Sequence, residues 1–268
     1  MDKKICVILL SGKDQEKCFW KNYFKVSAGY SYDMVLVHRD FLGFPDKIPE
    51  NKDGKTFLEN KIVNGEDIPH RAFGAYRHYF NKYKEQYDYF IFISDDVVLK
   101  RNNWVKSIID SLNRHEKIGF GSSQIFNGGI GYPHPSHLRA PFWFAKTEVL
   151  KKINWEFDND HDGEMRIGNQ CTQAGYIGIQ VGNKVNLAYD VFEPNHITQI
   201  LEKQYFPELW PYGIHDDFLK LDNVPSGEKL VSPYAHIGIQ TISSVQPYDM
   251  TIFEPSRYIM EKEGIKIL

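Results

Sequence analysis

Two adjacent carboxylates, Asp95 and Asp96, end the run Tyr87-Asp88-Tyr89-Phe90-Ile91-Phe92-Ile93-Ser94, and apolar residues resume at Val97. Carboxylates set beside a hydrophobic strand are costly unless a cation or hydrogen bonds compensate them. One or two carboxylates plus substrate phosphates are the usual way to hold a magnesium-type ion. The plainer alternative is an Asp that caps a following helix. A second acidic stretch, Asp160-His161-Asp162-Gly163-Glu164, precedes Ala174-Gly175-Tyr176. A carboxylate there can take a proton from a hydroxyl, or can simply favour a helix N-terminus. A late histidine, His236 in Ser232-Pro233-Tyr234-Ala235-His236-Ile237-Gly238, is of a type that serves both as metal ligand and as packed side chain. His196 and His215-Asp216-Asp217 compete with it. His134 and His137 have loose metal-pair spacing but no further ligand pattern, so no zinc site is expected there.

These residues need elements to position them. Ile5–Leu10, Met34–Val37, Tyr87–Ile93 and Ile118–Phe120 read as strands, each a short apolar run. Helices are expected around Gln15–Val26, Pro69–Tyr83 and Trp104–His115, the second with Pro at its first turn. Residues 41–68 read as loop with one short strand. Strands separated by helices indicate an α/β domain with a mainly parallel sheet covered on both faces. Ligands of such sheets sit at the carboxyl ends of the strands, which groups Ser11, Asp40 and Ser94-Asp95-Asp96 as candidates. Gly121–Arg139, with its glycines and prolines, reads as a long functional loop. After it come a strand at Pro141–Phe144, a short helix at Thr147–Ile153, a helix over 162–175 and a strand at Tyr176–Val181. Trp143 alternates with Phe142 and Phe144, so it points to the opposite face and is the stacking candidate. Beyond about residue 190 the chain is weakly periodic.

Composition narrows the function classes. The 268 residues are 42% hydrophobic and 25% charged with a net charge of −3, which excludes a disordered chain. The balanced charge excludes a broad nucleic-acid footprint. Three cysteines, Cys6, Cys18 and Cys171, without a CxxC pair make no disulfide framework and fit a reducing cytoplasm. The apolar run Ile5–Leu10 is too short for a signal peptide, and no window approaches a membrane span. Ser11-Gly12-Lys13 lacks phosphate-loop spacing, and neither GxGxxG, GxSxG nor HExxH occurs. Aromatics make up 15% of the chain. Phe90, Phe92, Phe120 and Phe142 suit a core, whereas Tyr132, Tyr205-Phe206, Trp210 and Tyr212 fall where a flat ligand could approach.

Taken in order over residues 3–190, the motifs resemble the GT-A-fold glycosyltransferases, specifically the inverting family 2-like group. Tyr87–Asp96 looks like the strand and metal-binding motif, with Ser94 standing where its first Asp would be. His70-Arg71-Ala72-Phe73-Gly74-Ala75-Tyr76-Arg77-His78 resembles the helix that helps form the nucleotide-sugar site, and Arg139-Ala140-Pro141-Phe142-Trp143-Phe144-Ala145-Lys146 the segment near donor and acceptor sugars. The resemblance implies a GT-A-like Rossmann-type sheet in one domain. About 1–120 would bind the nucleotide sugar, and about 121–268 would form the acceptor half with an irregular C-terminal extension. It implies manganese or magnesium on Asp96, with Asp95 and His236, and a donor pocket involving Ser11, Asp40, Arg77 and Ser94. Counting back from Ala174-Gly175-Tyr176 puts Glu164 at the catalytic base, and a small gap would put Asp162 there instead. Arg139 and Trp143 would meet substrate. The implied partners are a nucleotide-diphosphate sugar and a saccharide or lipid-linked saccharide acceptor, as in bacterial capsule or lipopolysaccharide synthesis. That chemistry allows a cytoplasmic enzyme at the inner face of the membrane. Two rivals remain: a sugar-phosphate nucleotidyltransferase, and a non-catalytic carbohydrate-binding protein with a degenerate transferase fold.

Overall fold

The apolar runs become strands because both faces of the sheet are covered. In chain order the elements are β1 (Ile5–Ser11), β2 (Asp33–Arg39), β3 (Thr56–Val63), α1 (Arg71–Tyr83), β4 (Tyr89–Ser94), β5 (Val97–Leu99), α2 (Trp104–Leu112), β6 (Ile118–Ser122), β7 (Ile125–Phe126), β8 (His137–Leu138), β9 (Phe142–Lys146), α3 (Thr147–Leu150), α4 (Asp160–Gln173), β10 (Ile177–Gln180), β11 (Ala188–Phe192), β12 (Tyr234–His236) and α5 (Arg257–Glu263). The structure, a computed structural model, describes residues 3–11, 23, 26–39, 56–63, 71–94, 97–99, 102–123, 125–126, 136–138, 140, 142–181, 188–192, 234–236 and 252–266. Of the helix expected over Gln15–Val26, only Tyr23 and Val26 fall within this set.

Among the described residues the chain forms an α/β sheet of seven strands in the order β10-β6-β9-β4-β1-β2-β3. All pairs are parallel except those of β9, which runs against both β4 and β6. Alternate residues feed two cores. Ile5, Val7, Leu9, Ile91, Ile93, Phe142 and Phe144 pack with Trp104, Val105, Ile108 and Ile109 of α2. Cys6, Ile8, Leu10, Phe90, Phe92 and Trp143 pack on the other face with Phe73, Tyr76 and Phe80 of α1 and Ile167 and Cys171 of α4. A strand buried on both sides has no reason to alternate polar with apolar. The long run of residues 41–68 holds the edge strand β3, whose Glu59, Asn60 and Lys61 pair with Leu36 and Val37 and their neighbours. Residues 121–139, expected as loop, carry the end of β6 and the antiparallel pair β7–β8.

One local device sets the approach of α1 to α4. A Cβ added at Gly163 would come within 2.5 Å of the Phe73 ring. Glycine there lets the first turns of α4 lie directly on α1.

Among the described residues, no helix is long and apolar enough to cross a membrane.

Candidate functional site

Two halves of the sheet part company between β1 and β4. From β1 the chain steps outward through β2 to β3, then returns past β1 to β4. In doubly wound sheets ligands bind at such a reversal, beyond the carboxyl ends of the two strands. Ser11 ends β1 opposite His38, and Ser94 ends β4 opposite Leu10. Ser94 is half-buried. Asp95 and Asp96 follow Ser94 directly in sequence and, with Asp40, lie outside the described residues.

The reversed strand β9 brings the second acidic motif to the same edge. Phe142 pairs with Ile93, so Ser94 leaves the sheet on β4 beside the chain entering β9. Two residues before Phe142, the Ala140 N–H donates to Glu164 Oε1 at 3.1 Å. Glu164 lies in the second turn of α4, half-buried, and this bond holds its carboxylate beside the start of β9. The Phe142 carbonyl in turn accepts from Ser122 Oγ at 2.9 Å and from Ser123 N at 3.1 Å. Residues 140 and 142 are thus fixed from α4 on one side and from β6 on the other.

Asp162 has a different setting. Asn159 caps α4, its side chain accepting from Asp162 N at 3.0 Å. The Asp162 carboxylate accepts from Asp158 N at 3.1 Å and from Arg166 Nη1 at 2.8 Å. That is the work of an acid at a helix N-terminus, where it meets unpaired amides and the positive end of the dipole. Of the two candidate bases, Glu164 is the one tied to the chain at the sheet edge.

Trp143 departs from expectation. Its alternation with Phe142 and Phe144 holds, but the face it points to is covered, and the ring is completely buried. It stacks on Phe92 at 4.1 Å between centroids and 14° between planes, and on Phe73 at 6.1 Å. Its face is already used by the core, so it offers no stacking surface for a sugar. Arg77 is exposed on α1, whose Phe73, Tyr76 and Phe80 point into the core. Arg139, together with Tyr132, Tyr205, Phe206, Trp210 and Tyr212, lies outside the described residues, as do His196, His215, Asp216 and Asp217.

A second, three-stranded sheet carries the late histidine. β5 pairs antiparallel with β11, and β11 with β12. The register sets Val97 opposite Asp190 and Asp190 opposite His236. His236 and Asp190 therefore share a row with the residue that follows Asp96. Asp190 carries no chemical signal in the sequence, because it stands in the run Ala188-Tyr189-Asp190-Val191-Phe192, where it is one polar position of a short strand. Among the described residues no group of three His, Cys, Asp or Glu side chains converges to hold a metal.

Clefts of about 580 and 450 Å³ lie at the opposite, amino edge, around Lys3, Glu85 and Tyr87. Within them Lys151 meets Glu85 at 2.7 Å, and Tyr87 donates to Asp33 at 2.7 Å. Burial and the Asp33 bond push the Tyr87 hydroxyl well above the usual phenol value. Lys146, at the same edge, is held below the usual amine value by burial. These features lie at the amino edge of the sheet, away from Glu164 and the carboxyl end of β4.

No protein-family model matches this chain, and no curated protein shows significant similarity to it.

Proposed function

We propose that this chain is a metal-dependent glycosyltransferase of GT-A type. It would move a sugar, with inversion, from a nucleotide-diphosphate sugar to a saccharide hydroxyl, as in bacterial surface-polysaccharide assembly. The observation that carries the reading is that β4 ends at Ser94 beside the chain entering β9, to which Glu164 is bonded, with Asp95 and Asp96 following Ser94 directly in sequence. The strand order 3-2-1-4 of the first half, with its reversal between β1 and β4, supports a nucleotide at the same place.

The donor set suits a hard divalent ion. Asp95 and Asp96 would supply carboxylate oxygens, and the register of β5, β11 and β12 supports adding Asp190 and His236. Carboxylates with one imidazole fit manganese or magnesium better than the sulfur-rich sets that select zinc. When bound there, such an ion supplies Lewis-acid neutralisation of the diphosphate charge.

The chain's own groups do the rest. The acceptor hydroxyl oxygen attacks the anomeric carbon while its proton passes to the Glu164 carboxylate. The bond from that carbon to the diphosphate oxygen breaks, and the electron pair leaves with the nucleoside diphosphate. The Ala140 amide orients Glu164 for this step, since a fixed donor on one oxygen limits the rotamers of the carboxylate. Ser11 and Asp40, with Ser94, would line the nucleotide pocket at the strand ends, and Arg77 and Arg139 would meet phosphate and acceptor.

A panel of nucleotide sugars incubated with manganese and saccharide acceptors tests the reading. Transfer that disappears in Asp96→Ala supports it. Pyrophosphate release from a sugar phosphate and a nucleoside triphosphate would assign a nucleotidyltransferase instead. Loss of all metal-dependent nucleotide binding would leave a carbohydrate-binding protein.

A further inference from the structure

The chain from β7 to Ala140 is held at both ends by side chains of one unit, α4 and the strand β10 that follows it. At the start, the Ile125 N–H donates to Gln180 Oε1 at 3.1 Å. At the far end, the Ala140 N–H donates to Glu164 Oε1 at 3.1 Å. Between these points Ile125 pairs with Leu138, and Phe126 with His137. Leu138 is buried and lies close enough to α4 that a Cβ on Gly168 would come within 3.2 Å of it.

Gln180 is an unusual residue for the end of a buried strand. It is 1% exposed, and its Nε2 has no hydrogen-bond partner among the described residues. An unspent buried donor is destabilising, and an apolar side chain of the same size would avoid that cost. What the position uses is the carbonyl half of the amide, the half that holds Ile125. Gln180 stands opposite Ser122 in the β6–β10 pair, and Ser122 is bonded to Phe142. The anchor at Ile125 and the anchor beside Ala140 therefore share the same corner of the sheet.

We propose that Gln180 is a positioning residue for Glu164. By fixing β7 it fixes β8, and through β8 the Ala140 amide that orients the Glu164 carboxylate at the end of β4. The proposal rests on the reading of Glu164 as the base, but the link itself can be measured without any activity.

Native-state hydrogen exchange on the full chain tests it. In the unaltered protein the Ile125 and Ala140 amides should exchange through one opening, with the same denaturant dependence. In Gln180→Met, which keeps the side-chain volume, both should exchange about tenfold faster or more, as expected for loss of one buried hydrogen bond. The Ile8 and Phe92 amides of the central strands should be unchanged. For the transfer reaction, kcat should fall while the donor KM stays constant. Faster exchange at Ile125 with Ala140 still protected would overturn the proposal. Should Gln180→Met fail to fold, the unaltered protein still decides: separate denaturant dependences for the two amides would overturn it, and a shared one supports it. Coupled amides in a protein that transfers no sugar would leave the link standing and remove the role of Glu164 as base.

Discussion

Trp143 and Phe92 lie face to face across the β4–β9 pair, 4.1 Å between centroids, at the middle of the core that α1 and α4 cover. Phe73 of α1 also stacks on the Trp143 ring, Tyr76 of α1 meets it edge-on, and Trp155 packs against it at a tilt. Trp143→Ala should therefore cost about 3–5 kcal/mol of stability. Urea unfolding checks this: a lower midpoint with an unchanged slope is expected. A variant of undiminished stability that had lost acceptor binding would return Trp143 to the ligand.

Glu164 and Asp162 can be separated by substitution. Glu164→Gln keeps an oxygen for the Ala140 amide but cannot take a proton. It should fold like the parent, with kcat reduced about 10²–10⁴-fold. Asp162→Asn loses an ion pair with the exposed Arg166, worth about 0.5 kcal/mol, and should keep its activity. The reverse pattern of rates would move the base to Asp162.

At the end of α4, the Asn159 cap offers a purely structural comparison. Asn159→Ala removes the acceptor for the Asp162 amide and should lower stability by about 1 kcal/mol. Thermal unfolding reads the loss, and the donor KM should not move.

Metal dependence should reside in Asp96. Titration calorimetry of a nucleoside diphosphate with manganese should show binding that Asp96→Ala weakens by more than the roughly 10- to 100-fold typical of losing a supporting partner. Equal affinity with and without the substitution would take the ion away from this motif.

Two thiols predict an alkaline weakness. Burial pushes the Cys6 thiol well above its ordinary value of 9.0, and Asp33 adds to the effect. Burial does the same at Cys171. A raised folded pKa means that the neutral form is favoured in the native state. The stability it confers is complete below the unfolded value and is lost as pH rises past it. Above about pH 9, stability should fall by up to about 1.4 kcal/mol per pH unit for each thiol. Cys6→Ala with Cys171→Ala should flatten that slope in denaturant midpoints measured across the range. Below pH 8 neither thiol should react with iodoacetamide faster than the protein opens.

Much of the central sheet was legible because its strands are buried on both faces and appear as unbroken apolar runs. β1, β2 and β4 are of this kind, and β1 and β4 end at Ser11 and Ser94. β3 was harder to see. As an edge strand with Glu59, Asn60 and Lys61 in its middle it carries neither an apolar run nor strict alternation. The direction of β9 could not be read at all, since Phe142–Lys146 would look the same in either sense and only its partners decide. Trp143 shows a related limit. Alternation assigned it a face, but whether that face was wet depended on α1 and on Trp155, distant in sequence. The pairing of Asp190 with His236 was equally hidden, because it joins two short strands far apart in the chain. The family resemblance points to Glu164, and its bond to Ala140, which belongs to the packing of α4 against the start of β9, carries no sequence signal.

The reversed strand β9 also governs the order in which the molecule can be completed. β4 and β6 are consecutive long strands of the main sheet, but they never touch: β9, made later by the ribosome, fills the gap between them. Until residue 146 has emerged, β4 presents an open apolar edge and β6 has no partner on either side. Bare edges of this kind invite pairing with other chains. Nascent chains halted near residue 140 should therefore be the most aggregation-prone products of synthesis; the last residues of β9 close β4 and one side of β6, and β10 closes the other.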